Sequence, residues 1–102
     1  MFSWFSTKKA VAMGKELAAI VQEAVPNDPA MVESKRTSKA NYAKEKMQKR
    51  IRQFKEEEVL NFLKTAKLLN TFKWALKDAG YDTAFIDGLV SWVFIGLRKQ
   101  NF

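Results

Sequence analysis

Cysteine and histidine are both absent from the 102 residues, and glycine and proline occur only four and two times. Those absences remove thiol nucleophiles, imidazole bases, Ser-His-Asp triads, disulfide frameworks and the usual zinc sites. The expectation is a protein that is not an enzyme and carries no metal or cofactor. No apolar run reaches the roughly 20 residues a membrane span needs, since Asp87 interrupts the longest one. Met1-Phe-Ser-Trp-Phe lacks the basic start, long apolar stretch and small-residue cleavage site of a secretory signal. Cytoplasmic residence is therefore expected, with attachment to a membrane surface as the alternative.

With 47% apolar residues the chain has enough material for the core of one domain. Strand patterning is missing, and no glycine stands between Gly14 and Gly80. The spacing predicts an all-α bundle of three to five helices, including one long basic amphipathic helix and an apolar C-terminal helix. The first helix is expected over 7–25, because Ala10, Met13, Leu17, Ile20 and Ala24 recur at steps of three and four and Pro26 pushes Val25 out of the α region. Asp28-Pro29 reads as the start of a short helix over 29–34. A break is expected in Ser34-Lys-Arg-Thr-Ser38, which holds weak helix formers and no apolar anchor, and Glu56-Glu57-Glu58 is the second candidate for one.

From Ala40 the stripe Ala40, Ala43, Met47, Ile51, Phe54, Glu58 and Phe62 repeats every eleven residues, close to the period of a straight helix. The segment 39–78 is expected to be helical, in one piece or broken near Glu56, and to stop at Gly80 in a left-handed cap with Tyr81 folded back on Leu76. The last helix, over 83–98 and capped by Asp82 or Thr83, is apolar nearly all round apart from a narrow stripe of Asp87, Ser91 and Arg98. It is expected at the centre of the core, with an oligomer interface as the alternative, because Trp92, Phe94 and Ile95 suit a monomer or a homo-oligomer equally.

The net charge is +7. Between Lys35 and Lys55 stand Lys35, Arg36, Lys39, Lys44, Lys46, Lys49, Arg50, Arg52 and Lys55, against the single anion Glu45, so this fifth of the chain holds the whole imbalance. A helix that buries one edge and spreads cations over the rest suits an anionic partner, with nucleic acid the leading case and an acidic protein surface next. Aromatic support is thin, since Tyr42 is the one ring on the charged side, and no zinc-finger, RNP or basic-zipper signature accompanies it. The competing reading is a solvated face laced by Glu45–Lys49 and Arg52–Glu56 pairs. Phe2, Trp4 and Phe5, followed by Lys8 and Lys9, either cover a neighbouring helix or anchor the chain to a membrane or partner. A protein-interaction adaptor or inhibitor working through helix–helix contacts is the remaining alternative. Glu56-Glu57-Glu58 lacks a second acidic cluster at matching spacing, so neither metal binding nor acid–base catalysis is expected there.

Overall fold

Four helices carry the residues described, 7–99, in the computed structural model: α1 (Lys8–Ala24), α2 (Glu33–Glu57), α3 (Phe62–Asp78) and α4 (Thr83–Arg98). No strand occurs among the described residues. α1 and α4 lie where the spacing places them. The middle of the chain differs, and each difference has a physical origin.

Asp28-Pro29 makes a turn instead of starting a helix: the Ala30 amide donates to Asp28 Oδ1 at 3.0 Å and the Met31 amide to the Asp28 carbonyl at 3.1 Å. α2 begins at Glu33 and runs straight through Ser34–Ser38. Weak helix formers there sacrifice only a few tenths of a kcal/mol each. The anchor that local sequence lacks comes from across the bundle, where Arg36 pairs with Asp82 and its guanidinium lies 4.2 Å from the centre of the Phe85 ring. Of the two readings open for 39–78, the broken one holds: the chain leaves the helix at residues 58–61, directly after the acidic run. Glu58 adopts an extended conformation, and the Asn61 side chain caps α3 by accepting from the Lys64 amide at 2.8 Å. The phase of the stripe resets there, so Phe62 is 88% exposed and not a core residue.

The end of α3 follows the expected geometry. Gly80 has φ 93°, its amide donates to the Lys77 carbonyl, and the Tyr81 amide donates to the Leu76 carbonyl. This is the Schellman arrangement, with both Leu76 and Tyr81 buried. Asp82 then caps α4 by accepting from the Phe85 amide at 3.0 Å.

α1 packs against α2 and α3, α4 packs against the same two, and neither α1 with α4 nor α2 with α3 forms a packed pair. The helices thus sit at the corners of a square in the order α1, α3, α4, α2, and the short 58–61 linker crosses its diagonal. Side-chain ties fix the directions. Lys9 to Glu58 and Arg50 to Glu16 make α1 and α2 antiparallel. Arg36 to Asp82 and Lys55 to the Gly96 carbonyl make α2 and α4 parallel. One end of the bundle, the linker end, therefore holds the start of α1, the end of α2, the start of α3 and the end of α4.

Leu17, Val21, Met47, Ile51, Leu68, Phe72, Leu76, Ile86 and Val93 form the sealed centre. α4 is one wall of four rather than the central element, and it leaves Phe94 and Ile95 exposed. On α1 the buried face is turned from the expected one: Ile20 and Ala24 are only partly covered, while Gly14, Ala18 and Val21 are buried. Gly14 explains the turn. A Cβ there would lie 2.7 Å from the Leu68 carbonyl oxygen and 2.9 Å from Thr71 Cβ, so α3 approaches a bare backbone.

Candidate anion-docking face

Arg36, Lys44, Arg50 and Lys55, four of the nine clustered cations, bind the bundle itself. Arg36 pairs with Asp82, and this bond, with the Phe85 amide second, holds the Asp82 carboxyl below its ordinary range. Arg50 reaches Glu16 on α1 at 2.5 Å. Lys55 donates to the Gly96 carbonyl at 2.9 Å and to the Lys99 carbonyl, placing a cation on the C-terminal end of α4, where the helix dipole favours one. Lys44 stands 5.7 Å from the centre of the Trp92 ring. These side chains occupy the two flanks of the Ala43, Met47, Ile51 and Phe54 seam, which is buried as the spacing predicts.

The other five lie outward. Lys35, Lys46, Lys49 and Arg52 are exposed and Lys39 is half-buried. Lys35, Lys39, Lys46 and Lys49, with Tyr42 among them, recur at steps of 4, 3, 4 and 3, which aligns them in one row along a straight helix. At 1.5 Å per residue the row is about 21 Å long. Lys46 lies 5.2 Å from the centre of the half-exposed Tyr42 ring. Among the described residues none of the four lysines is ion-paired, and Glu45 and Lys49 do not pair with each other. Lys35 and Lys39 also edge a shallow depression against the 25–32 loop, lined by Pro26, Ala30 and Val32.

A second feature lies between the start of α3 and the end of α4, where Leu60, Phe62, Leu69, Phe94 and Leu97 line an open groove of about 450 Å³. The N-terminal candidates Phe2, Trp4 and Phe5 lie outside the described residues. The described residues contain no group of three or more acidic side chains able to hold a metal ion, and no helix among them is long and apolar enough to cross a membrane.

One polar cluster escaped the sequence reading. Lys64 is 4% exposed and its ammonium meets Glu58 at 3.2 Å and the Val59 carbonyl at 3.4 Å, while Lys9 takes the other Glu58 oxygen at 3.2 Å. The two lysines hold the Glu58 carboxyl below its ordinary range, Lys64 contributing most. A signal was present: Lys64 continues the Leu68, Phe72, Leu76 seam back by one turn, and Glu58 occupies a seam position of the preceding stripe. An acid and a base both placed on core-facing positions six residues apart imply that each neutralises the other.

No known protein family matches the chain, and no curated protein or solved structure matches it either.

Proposed function

We propose that the protein is a non-enzymatic binding module whose α2 docks on a phosphate-bearing partner, nucleic acid in the leading case, through Lys35, Lys39, Lys46 and Lys49. The observation that carries the reading is the division of the cationic segment. Arg36, Lys44, Arg50 and Lys55 serve the fold, and of the five that remain, Arg52 apart, four lysines form a row with no ion-pair partner among the described residues. Phosphates recur every 3.4 Å along one strand, so a row about 21 Å long spans roughly six of them. Lysines supply charge without base reading, and one tyrosine offers little stacking, so the binding is expected to be weakly sequence-dependent.

The test is binding to a labelled duplex across a salt series. Four phosphate contacts give a log–log slope of about −3.6 on duplex DNA and about −2.8 on a single strand. Replacing Lys35, Lys39, Lys46 and Lys49 by Gln should abolish most of the affinity and flatten the slope, equally for unrelated sequences. Arg50→Gln is the matched control: it removes one charge from the same helix and should lower stability while leaving the slope nearly unchanged. An unaltered affinity in the quadruple variant, or a loss confined to one preferred sequence, refutes the reading.

A further inference from the structure

Eight large hydrophobic side chains stand exposed among the described residues, and five of them, Val59, Phe62, Leu63, Phe94 and Ile95, belong to the linker end. They gather at one end of the bundle instead of standing singly. Val59 in the linker is 73% exposed and Phe62, the first residue of α3, is 88% exposed. Leu63 follows on the same turn, and Phe94 and Ile95 lie on the last turn and a half of α4. The apolar side chains thus come from three chain segments that meet only in the folded bundle.

Cations surround them. Lys8 and Lys9 open α1, Arg98 ends α4 with its guanidinium 5.6 Å from the centre of the Phe94 ring, and Lys99 follows; all four are exposed. Opposing charge at this end comes from Glu56, Glu57 and Glu58, and Glu58 is already matched by Lys9 and Lys64.

We propose that the linker end is a membrane-docking surface that takes an anionic bilayer, with Val59, Phe62 and Leu63 entering the boundary between headgroups and acyl chains and Lys8, Arg98 and Lys99 meeting lipid phosphates. Apolar burial alone gives weak, reversible attachment, and a cationic rim is the second signal that makes it stable. Entry to a depth of about 5–10 Å corresponds to one or two helical turns, the extent of the exposed apolar band. This surface is at the tip of the bundle and does not use the lysine row on the side of α2.

The experiment is co-sedimentation of the full chain with phosphatidylcholine vesicles, with and without about 30% phosphatidylserine. Sedimentation is expected with the anionic vesicles and is expected to weaken with salt. The Val59→Asp/Phe62→Asp variant should partition at least about tenfold less. It should keep wild-type helical content, because both side chains already lie in solvent, and it should keep the wild-type salt slope on duplex DNA. The Val59→Ser/Phe62→Ser variant provides the same readout without new charge. Lys8→Gln/Lys99→Gln should weaken binding to anionic vesicles by up to about thirtyfold and leave binding to neutral ones unchanged. Failure to sediment with anionic vesicles overturns the proposal, as does undiminished partition of both Val59/Phe62 variants. Self-association that disappears in those variants while vesicle binding is missing would assign the surface to a second copy of the chain and overturn it too.

Discussion

Adding one methyl group at Gly14 and one at Gly88 should move stability in opposite directions. Both glycines are inside helices, where alanine is favoured by about 0.8–1.0 kcal/mol for reasons of backbone entropy. At Gly88 a Cβ meets nothing within 4 Å, so Gly88→Ala should realise the whole gain. At Gly14 the new Cβ would be 2.7 Å from the Leu68 carbonyl oxygen, 2.9 Å from Thr71 Cβ and 3.2 Å from the Phe72 nitrogen. Two of those three atoms are backbone, so relief requires α1 and α3 to separate. Overpacking a core contact costs about 1–3 kcal/mol, and a backbone obstacle belongs at the upper end of that range. After the helix-propensity gain, Gly14→Ala should be destabilised by about 2 kcal/mol. For a domain of this size 1 kcal/mol moves the melting midpoint by about 4–8 °C, so Gly14→Ala should melt roughly 8–15 °C lower and Gly88→Ala roughly 4–8 °C higher. Calorimetry on both, with urea unfolding to check that the m-value is unchanged, measures the difference. A Gly14→Ala protein as stable as the wild type would refute the close α1–α3 crossing, and equal shifts in both variants would show that propensity alone is at work.

Tyr81→Phe should be destabilised by about 1–2 kcal/mol, because the buried phenol donates to the Val25 carbonyl and its loss leaves that carbonyl without this donor; a neutral effect in urea unfolding contradicts this bond. Burial also pushes the Tyr81 hydroxyl above its ordinary value of 10.0, so the neutral phenol's contribution is complete below pH 10 and fades as the pH rises through the higher folded-state value. At the acid side the order reverses. Glu58 and Asp82 are held below their ordinary values of 4.5 and 3.8 by their cationic partners, so their stabilisation is complete above those values and is lost as the pH falls through the lower folded-state ones. The melting midpoint should fall on acidification below about pH 4.5, and Glu58→Gln/Asp82→Asn should have a shallower acid limb; an equally steep limb in the double variant places the acid lability elsewhere.

Sequence periodicity located the α2 seam because Ala43, Met47, Ile51 and Phe54 contact whatever packs there, and their spacing is a property of the helix alone. The Gly80–Tyr81–Asp82 corner was legible for the same reason, since a left-handed cap followed by an N-cap is local chemistry. What escaped is tertiary. Ser34–Ser38 offers a helix no apolar anchor of its own, yet Arg36 finds Asp82 and Phe85 more than forty residues away. Nothing near Gly14 announces that α3 crosses against it. The boundary at 58–61 was visible as an acidic run, but the run closes α2, and it is Asn61 that opens α3.

The candidate site illustrates the same limit in charge. A count along the sequence treats all nine cations from Lys35 to Lys55 as one patch, whereas folding assigns Arg36, Arg50 and Lys55 to α4 and α1 as fasteners. The proposed electrostatic binding would therefore depend on fewer groups than the composition suggests, which is why the salt slope expected of four lysines is about −3.6 instead of the roughly −8 of nine contacts. The last lysine of the row, Lys49, lies nine residues before Glu58, about 13 Å along α2 from the linker end. A duplex lying against the side of α2 and a bilayer receiving the tip of the bundle would then address different atoms. The two proposals stand or fall separately, and the Val59/Phe62 and lysine-row variants should each remove one binding activity and leave the other.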